Sequence, residues 1–108
     1  MSKYKAKMRY CNKWVYGELI DDKFLKYCID DDLEGTRAID PTTLCEDTGF
    51  VDMHNTRIFK NDFVCRDFSR GLIIKRKNEF YIRWRRNRLE KLKDSTDIEV
   101  YGNKYDEY

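Results

Sequence analysis

Two turn-like segments near the middle of the chain, residues 52–55 and 60–62, constrain the fold most. They separate three short apolar pairs at 50–51, 58–59 and 63–64. Apolar runs this brief, bounded by Asp and Asn, are typical of half-buried β-strands joined by tight turns. This central stretch is therefore predicted to consist of short strands and two tight turns, around which the rest of the chain is organised.

Each of these turns contains an asparagine and an aspartate. Asn is one of the few residues other than Gly that tolerates the left-handed backbone conformation, so Asn55 and Asn61 are predicted to occupy such positions. The Asp52 and Asp62 carboxylates can accept hydrogen bonds from backbone N–H groups in the same turns. We therefore predict an architectural role for both aspartates.

The composition favours strands over helices. The 108 residues include eight Tyr, six Phe, one Pro and five Gly, and the hydrophobic fraction is 41%. Aromatic and β-branched residues suit the pleated surface of a sheet, so we predict a mainly β fold. A chain of this length buries roughly two-thirds of the surface that its unfolded form exposes, which leaves little room for a deep catalytic cavity.

Five short motifs occur in an order that spans nearly the whole chain. They are Val15-Tyr16-Gly17, Ile39-Asp40-Pro41, Thr48-Gly49-Phe50-x-Asp52, Ile58-Phe59-x-x-Asp62-Phe63-Val64 and Ile98-Glu99-Val100-x-Gly102-Asn103. In this combination the chain resembles the YopX family of small phage and prophage proteins, which usually has Gly where Asn55 and Asn61 stand. The resemblance implies a small SH3-like β barrel of phage origin without a settled biochemical activity.

With this resemblance, we expect one domain over residues 1–108. Its expected parts are an N-terminal β hairpin extension at 1–37, an SH3-like barrel at 38–103 and a polar tail at 104–108. The sequence has no window of about 18 apolar residues, and no apolar run follows its Lys-rich start. We therefore expect neither a membrane span nor a secretory signal, and we expect the protein to act in the cytoplasm of a bacterial host.

Cations and apolar residues alternate over residues 3–13, which predicts a strand with Lys5 and Lys7 on one face. We expect a Lys-guarded edge strand whose cations lie in solvent. The alternative is that this row of cations meets phosphate. Residues 24–29 are predicted to form the next strand of a hairpin. A charged loop is predicted at 30–35, where the carboxylate spacing differs from that of a calcium-binding loop.

Four cysteines are spread almost evenly, at Cys11, Cys28, Cys45 and Cys65. None forms the Cys-x-x-Cys pair from which zinc sites are commonly built. In a reducing cytoplasm they are predicted to be four separate, mostly buried thiols that behave as small hydrophobes. A zinc site assembled from distant strands is the alternative.

A second hairpin is predicted after a turn at 69–71, with arms at 72–74 and 80–85. Alternation along the second arm divides its side chains between two faces. Phe80, Ile82 and Trp84 are predicted to enter the core, whereas Tyr81, Arg83 and Arg85 lie on the opposite, exposed face. An aromatic ring flanked by guanidinium groups can stack on bases and pair with phosphates, or anchor an acidic protein.

Basic character continues beyond this hairpin. Residues 75–93 contain nine cations and two anions, whereas residues 21–52 contain ten anions and three cations. Within 86–93 the pattern allows either a short helix or a charged strand connection. A last strand is predicted at 98–101. The candidate binding residues are Tyr81, Arg83, Arg85, Arg86 and Arg88.

Little in the sequence indicates catalysis. His54 is the only histidine and lies in a turn beside Asp52, without a nucleophile close in sequence. We therefore expect a non-enzymatic protein without a cofactor or a metal. The favoured function is a protein-interaction module that binds a host or phage protein, or a second copy of itself, with host takeover or counter-defence inhibition as one case. Nucleic-acid binding through residues 75–93 is the alternative, disfavoured by the net charge of only +2.

Overall fold

The computed structural model describes residues 3–20, 28–31, 35–94 and 97–106, and its strands divide between two compact units at residues 1–47 and 48–108. The strands are β1 (Tyr4–Lys7), β2 (Trp14–Ile20), β3 (Cys28–Asp31), β4 (Gly35–Ala38), β5 (Cys45–Val51), β6 (Arg57–Phe59), β7 (Asp62–Arg66), β8 (Ser69–Arg76), β9 (Glu79–Arg83), β10 (Leu89–Lys91) and β11 (Glu99–Asn103). Two short 3-10 helices span Pro41–Thr43 and Arg85–Asn87. The predicted mainly β fold is confirmed, and the strands pair in antiparallel sheets. The expected division into an extension at 1–37 and a barrel at 38–103 stays a prediction.

The first unit is built on antiparallel strands in the order β4-β3-β2-β1-β5. Its core contains Ala6, Val15, Ile29 and Ile39, against which Tyr4, Met8 and Leu44 pack. The predicted hairpin is present, since Leu19 of β2 pairs with Ile29 of β3. The hairpin connection, residues 21–27, lies outside the described residues and includes positions 24–27 of the predicted strand. Residues 32–34 also lie outside. Asp30 and Asp31 lie in β3, so the acidic segment begins as strand and not as loop.

The prediction of a solvated edge strand at the N-terminus was wrong. β1 pairs with β2 on one side and with β5 on the other, so it is an inner strand. Lys5 and Lys7 are only 7% and 5% exposed. Their Nζ atoms lie 4.7 Å and 5.0 Å from the centre of the Trp14 ring, and Lys7 Nζ also donates to the Asn12 carbonyl at 3.1 Å. These cation–π contacts and the hydrogen bond compensate for part of the hydration that the two ammonium groups lose on burial. Because both lysines are buried, they do not form a solvent-facing row of cations that could bind phosphate.

The central stretch forms the predicted strands and turns. β5 ends at Val51, β6 follows the first turn, and β7 begins directly after the second. Asn55 has φ of 62° and Asn61 has φ of 73°, which confirms the left-handed conformation predicted for both. Asn supplies this geometry at low steric cost because its short polar side chain tolerates the left-handed region.

The two aspartates accept the backbone hydrogen bonds that the sequence predicted. Asp52 Oδ1 accepts the N–H groups of His54 and Thr56, each at 2.9 Å, and its Oδ2 accepts Val100 N–H at 2.9 Å. Asp62 Oδ2 accepts Phe59 N–H at 2.8 Å. Both side chains are buried, so these bonds fix each turn and, through Asp52, tie the first turn to β11.

The second unit contains a five-stranded antiparallel sheet in the order β10-β9-β8-β7-β11, and β5 passes from the first unit into the second. One face of the sheet covers a core formed by Ile58, Val64, Ile73, Ile82, Trp84, Leu92 and Ile98. Phe80 and Val100 pack against this core while half-buried, so the inward face predicted for the second hairpin is confirmed.

Two local predictions in the second unit are decided by the strand bounds. The predicted turn at 69–71 was wrong, because these residues begin β8 and the turn lies at Asp67 and Phe68. Asp67 takes the left-handed conformation, with φ of 53°. Of the two alternatives for residues 86–93, the strand is correct, since the chain forms β10 after a short 3-10 turn.

No helix in the part of the chain that the structure describes has the length and apolar character needed to cross a bilayer.

Candidate functional site

The five predicted binding residues all lie in the second unit, but they do not form one cluster. Tyr81 and Arg83 belong to β9, Arg85 and Arg86 lie in the 3-10 turn, and Arg88 precedes β10. Tyr81 is half-buried, and the four arginines are exposed. Arg86 has φ of 60° in the turn between β9 and β10, and neither of the two depressions that Arg83 lines includes Arg86 or Arg88 in its lining.

Arg83 lines two neighbouring depressions on the outer face of the sheet. The first, which we call the basic groove, has a volume of about 320 Å³. Its lining includes Phe63, Arg70, Leu72, Arg83, Arg85 and Tyr101. The second, which we call the edge pocket, has a volume of about 440 Å³. It is lined by Ile74, Arg76, Arg83, Asn87 and Leu89.

An aromatic pair and an arginine form one side of the basic groove. The rings of Phe63 and Tyr101 are stacked, with centroids 5.9 Å apart and planes inclined by 21°. The Arg70 guanidinium carbon lies 5.7 Å from the centre of the Tyr101 ring. A guanidinium held against a ring keeps its N–H donors free for a carboxylate or a phosphate. None of these three residues was predicted as a binding residue, because Arg70 was expected in a turn and no sequence pattern indicated the pairing of β7 with β11.

The four arginines among the predicted binding residues form no ion pair within the part of the chain that the structure describes. Arg83, Arg85, Arg86 and Arg88 have no ion pair with any carboxylate among the described residues. Over the second unit the sequence contains 14 Lys and Arg against 10 Asp and Glu. Several of those carboxylates bind other side chains, including Glu79 with Tyr81 and Glu90 with Arg66. Within the described ranges, no carboxylate therefore neutralises the positive charge of Arg83 and Arg85 in the groove.

Tyr81, unlike the four arginines, is bonded to a carboxylate of the described chain. Its hydroxyl donates to Glu79 Oε2 at 3.0 Å, and this bond to a carboxylate raises the pKa of Tyr81 above its ordinary value. Lys91 Nζ lies 3.6 Å from Glu79 Oε1. The charges of Glu79 and Lys91 therefore nearly cancel at this end of β9. Of the predicted binding residues on β9, Tyr81 lies in this neutral environment, whereas Arg83 lies at the basic end.

A charged cluster supports β9 and β10 from the inner side. Arg66 donates to both Glu90 oxygens at 2.8 Å, and Trp84 Nε1 donates to Glu90 Oε1 at 3.2 Å. The Arg66 Nε atom lies 2.9 Å from Asp97 Oδ2. Hydrogen bonds from Arg66 lower the pKa of Glu90, and the carboxylate of Glu90 raises the pKa of Arg66. A bidentate pair fixes the relative orientation of its two side chains, so the Arg66–Glu90 pair holds β7 and β10 in position behind the edge pocket.

The ring of the single histidine contacts a carboxylate other than that of Asp52, its neighbour in the turn. His54 Nε2 lies 2.7 Å from Glu99 Oε2, whereas Asp52 bonds the His54 backbone N–H and not its ring. Cys65 Sγ lies 3.9 Å from the other Glu99 oxygen. The Glu99 carboxylate thus contacts the imidazole through one oxygen and the thiol through the other.

The described cysteines are free thiols in three different environments. Cys45 is buried, Cys65 is half-buried and Cys11 is exposed, so the prediction of mostly buried thiols was wrong for Cys11. Cys11 lies in the connection between β1 and β2, with Sγ 3.5 Å from Met8 Sδ. The side chain of Cys28 lies outside the described set. No three His, Cys, Asp or Glu side chains in the described ranges are grouped to hold a metal ion.

Comparison of this chain with known protein families gives no matching family, and comparison with curated proteins gives no match either. The resemblance to the YopX family therefore stays a prediction.

Proposed function

We propose that this chain is a non-enzymatic binding module that recognises an acidic partner protein through the basic groove. The observation that carries the proposal is a set of exposed arginines, including Arg83 and Arg85, which find no carboxylate among the described residues. Arginine pairs with carboxylates through two parallel N–H donors, so such a set is suited to acidic side chains. In keeping with the resemblance, the partner is a host or phage protein met in the bacterial cytoplasm, or a second copy of this chain.

The aromatic arrangement favours a protein ligand over a nucleic acid. Nucleic-acid platforms expose aromatic faces on which successive bases stack. Here the ring of Tyr101 already contacts Phe63 and the Arg70 guanidinium, and Tyr81 is bonded to a carboxylate. Positive charge in the groove thus lies beside apolar contact surface from the rings of Phe63 and Tyr101. This combination is characteristic of protein interfaces, where arginines and aromatic residues act as anchors.

Affinity capture from a nuclease-treated bacterial lysate tests this function. The wild-type chain is expected to retain one protein in stoichiometric amount, whereas the double variant Arg83→Glu and Arg85→Glu is expected to lose it. A matched control reverses Lys77 and Lys104, which are exposed and lie outside both depressions. The control must retain the partner. Equal retention by both double variants, or no partner for the wild type, contradicts the proposal.

Nucleic-acid binding is the second candidate function, because the same arginines could pair with phosphates. Titration of labelled single-stranded and duplex DNA at low and at physiological salt discriminates the two candidates. Binding that falls steeply with salt and disappears in the Arg83→Glu, Arg85→Glu variant supports the nucleic-acid candidate. Absence of DNA binding at low salt eliminates it.

A further inference from the structure

The edge strand β10 presents unused backbone hydrogen-bonding groups. In its ladder with β9, Glu90 pairs with Ile82, Trp84 N–H donates to the Arg88 carbonyl, and Leu92 N–H donates to the Phe80 carbonyl. Alternate residues of an antiparallel strand direct their backbone groups to opposite sides. The N–H and C=O groups of Leu89 and Lys91 therefore point away from β9, and neither residue has a hydrogen bond to another described residue through them.

The opposite edge of the same sheet differs. At β11 the Val100 N–H donates to Asp52 Oδ2, and the Ile98 carbonyl beside it accepts Met53 N–H at 3.0 Å. The turn after β5 thus occupies that edge. β10 is thus the terminal strand of the five-stranded sheet whose outward backbone groups, at Leu89 and Lys91, meet no hydrogen-bond partner among the described residues.

We propose that β10 is a docking edge onto which an extended acidic segment of the partner protein adds as a further strand. This inference rests on the proposed function and specifies how the partner is held. Pairing with Leu89 and Lys91 would supply the main-chain hydrogen bonds, and alternate side chains of the added strand would lie over the edge pocket. Such side chains meet Arg76 and Arg83 together with the apolar side chain of Leu89, which is 37% exposed.

The charge around this edge selects an acidic segment. Arg88, Lys91 and Lys93 are exposed along or beside β10, and Arg76 and Arg83 line the edge pocket. The one carboxylate of β10, Glu90, is bound on the inner face by Arg66 and Trp84, so it does not repel an incoming carboxylate. An added strand with Asp or Glu at alternate positions would place all of these carboxylates on the face of the sheet that carries Arg76 and Arg83.

The support behind β10 makes the edge suitable for docking. The bidentate Arg66–Glu90 pair joins β7 to β10, and Trp84 is 4% exposed beneath them. A three-residue edge strand held in this way is already extended before the partner arrives. Binding to a preformed strand costs less conformational entropy than binding to a loop that must order.

A blocked peptide of about eight residues that alternates Glu with Val is the probe, and fluorescence anisotropy measures its affinity. The variant Leu89→Pro removes one outward N–H without changing charge. The preceding residue, Arg88, has φ of −70° and ψ of 126°, which a following proline accepts. Edge strands tolerate proline where no ladder bond is lost. We expect Leu89→Pro to weaken binding about tenfold. Leu89→Val keeps the N–H and shortens the side chain, so it measures the side-chain contribution alone and is expected to weaken binding less than Leu89→Pro does.

A second arm leaves the protein unchanged and alters the peptide. Methylation of alternate backbone nitrogens blocks one edge of the peptide, and methylation of the other set blocks the opposite edge. One set is expected to abolish binding and the other to leave it intact, because only one edge of an added strand faces β10.

The outcomes separate the docking mode from the proposed function. If Leu89→Pro remains folded by circular dichroism and binds the peptide as tightly as the wild type, or if both methylated peptides bind, strand addition is overturned while the function stands. If the wild type does not bind the peptide at about 1 mM, strand addition of an acidic segment is overturned as well. Failure of the lysate capture, in contrast, removes the function itself.

Discussion

At the scale of single residues, the left-handed turn positions show how closely side-chain chemistry follows backbone conformation. Asn55 is exposed and has φ of 62°, so its conformation and not its packing explains why Asn stands there. Asn55→Gly is expected to leave the free energy of unfolding nearly unchanged, since Gly adopts positive φ freely. Asn55→Ala is expected to lower it by about 1 kcal/mol. Urea unfolding followed by tryptophan fluorescence measures both values.

A substitution at the next residue, Thr56→Ala, is the control for Asn55→Ala. Thr56 is also exposed, but it follows the left-handed residue and precedes β6, so Thr56→Ala does not meet the same backbone penalty. A loss for Asn55→Ala no larger than that for Thr56→Ala would show that the left-handed conformation is not the cause.

At the scale of elements, the contact between β8 and β9 depends on a residue without a side chain. A Cβ atom on Gly71 would lie 2.6 Å from Ile82 Cγ2 and 3.0 Å from Trp84 Cε3, closer than packed atoms allow. Both neighbours are buried, so neither can move away freely. Gly71→Ala is expected to lower the free energy of unfolding by about 1–3 kcal/mol. Ser69→Ala, at an exposed position of the same strand, is the control and should be nearly neutral in thermal unfolding.

The Arg66–Glu90 pair is the second test of an element, because it holds the short strand β10. Glu90→Gln keeps the shape of the side chain but removes the charge from a bidentate pair that is about one-third exposed. We expect a loss of about 1 kcal/mol. The matched change Glu79→Gln affects an exposed pair with Lys91 at 3.6 Å and is expected to cost less. Equal unfolding midpoints for the two variants would show that the inner pair stabilises the fold no more than the exposed pair does.

At the scale of the whole molecule, sequence patterns predicted which side chains of a strand face inward better than they predicted which strands pair with each other. The inward face of β9 and the turns at Asn55 and Asn61 depend on local alternation and backbone preference, and they were predicted correctly. The burial of Lys5 and Lys7 depends on β1 lying between two other strands, which no local pattern determines. The basic groove was missed in part for the same reason, since Arg70 and Tyr101 meet only through the pairing of β7 with β8 and β11.

The response of the molecule to acid combines a local and a global effect. Burial opposes ionisation of Asp52, but hydrogen bonds from Val100, Thr56 and His54 outweigh it, so the pKa of Asp52 lies below its ordinary value. A carboxyl group whose pKa is lower in the folded state than in the unfolded state stabilises the folded state at pH values above its unfolded pKa of about 4. This stabilisation is lost as the pH falls through the folded pKa. The chain also carries 22 Lys and Arg, which repel one another once its 20 Asp and Glu are protonated.

Salt separates the two effects, because mobile ions screen repulsion between exposed charges but not hydrogen bonds at a buried carboxylate. We expect the urea midpoint to fall between pH 5 and about pH 2 and to recover only in part on addition of sodium chloride. Asp52→Asn should lower the midpoint at pH 7 and reduce the part of the acid-induced loss that salt does not recover. If salt restores the wild-type midpoint completely, repulsion alone explains the acid sensitivity. The hydrogen bonds of Asp52 would then contribute nothing to the pH dependence of folding.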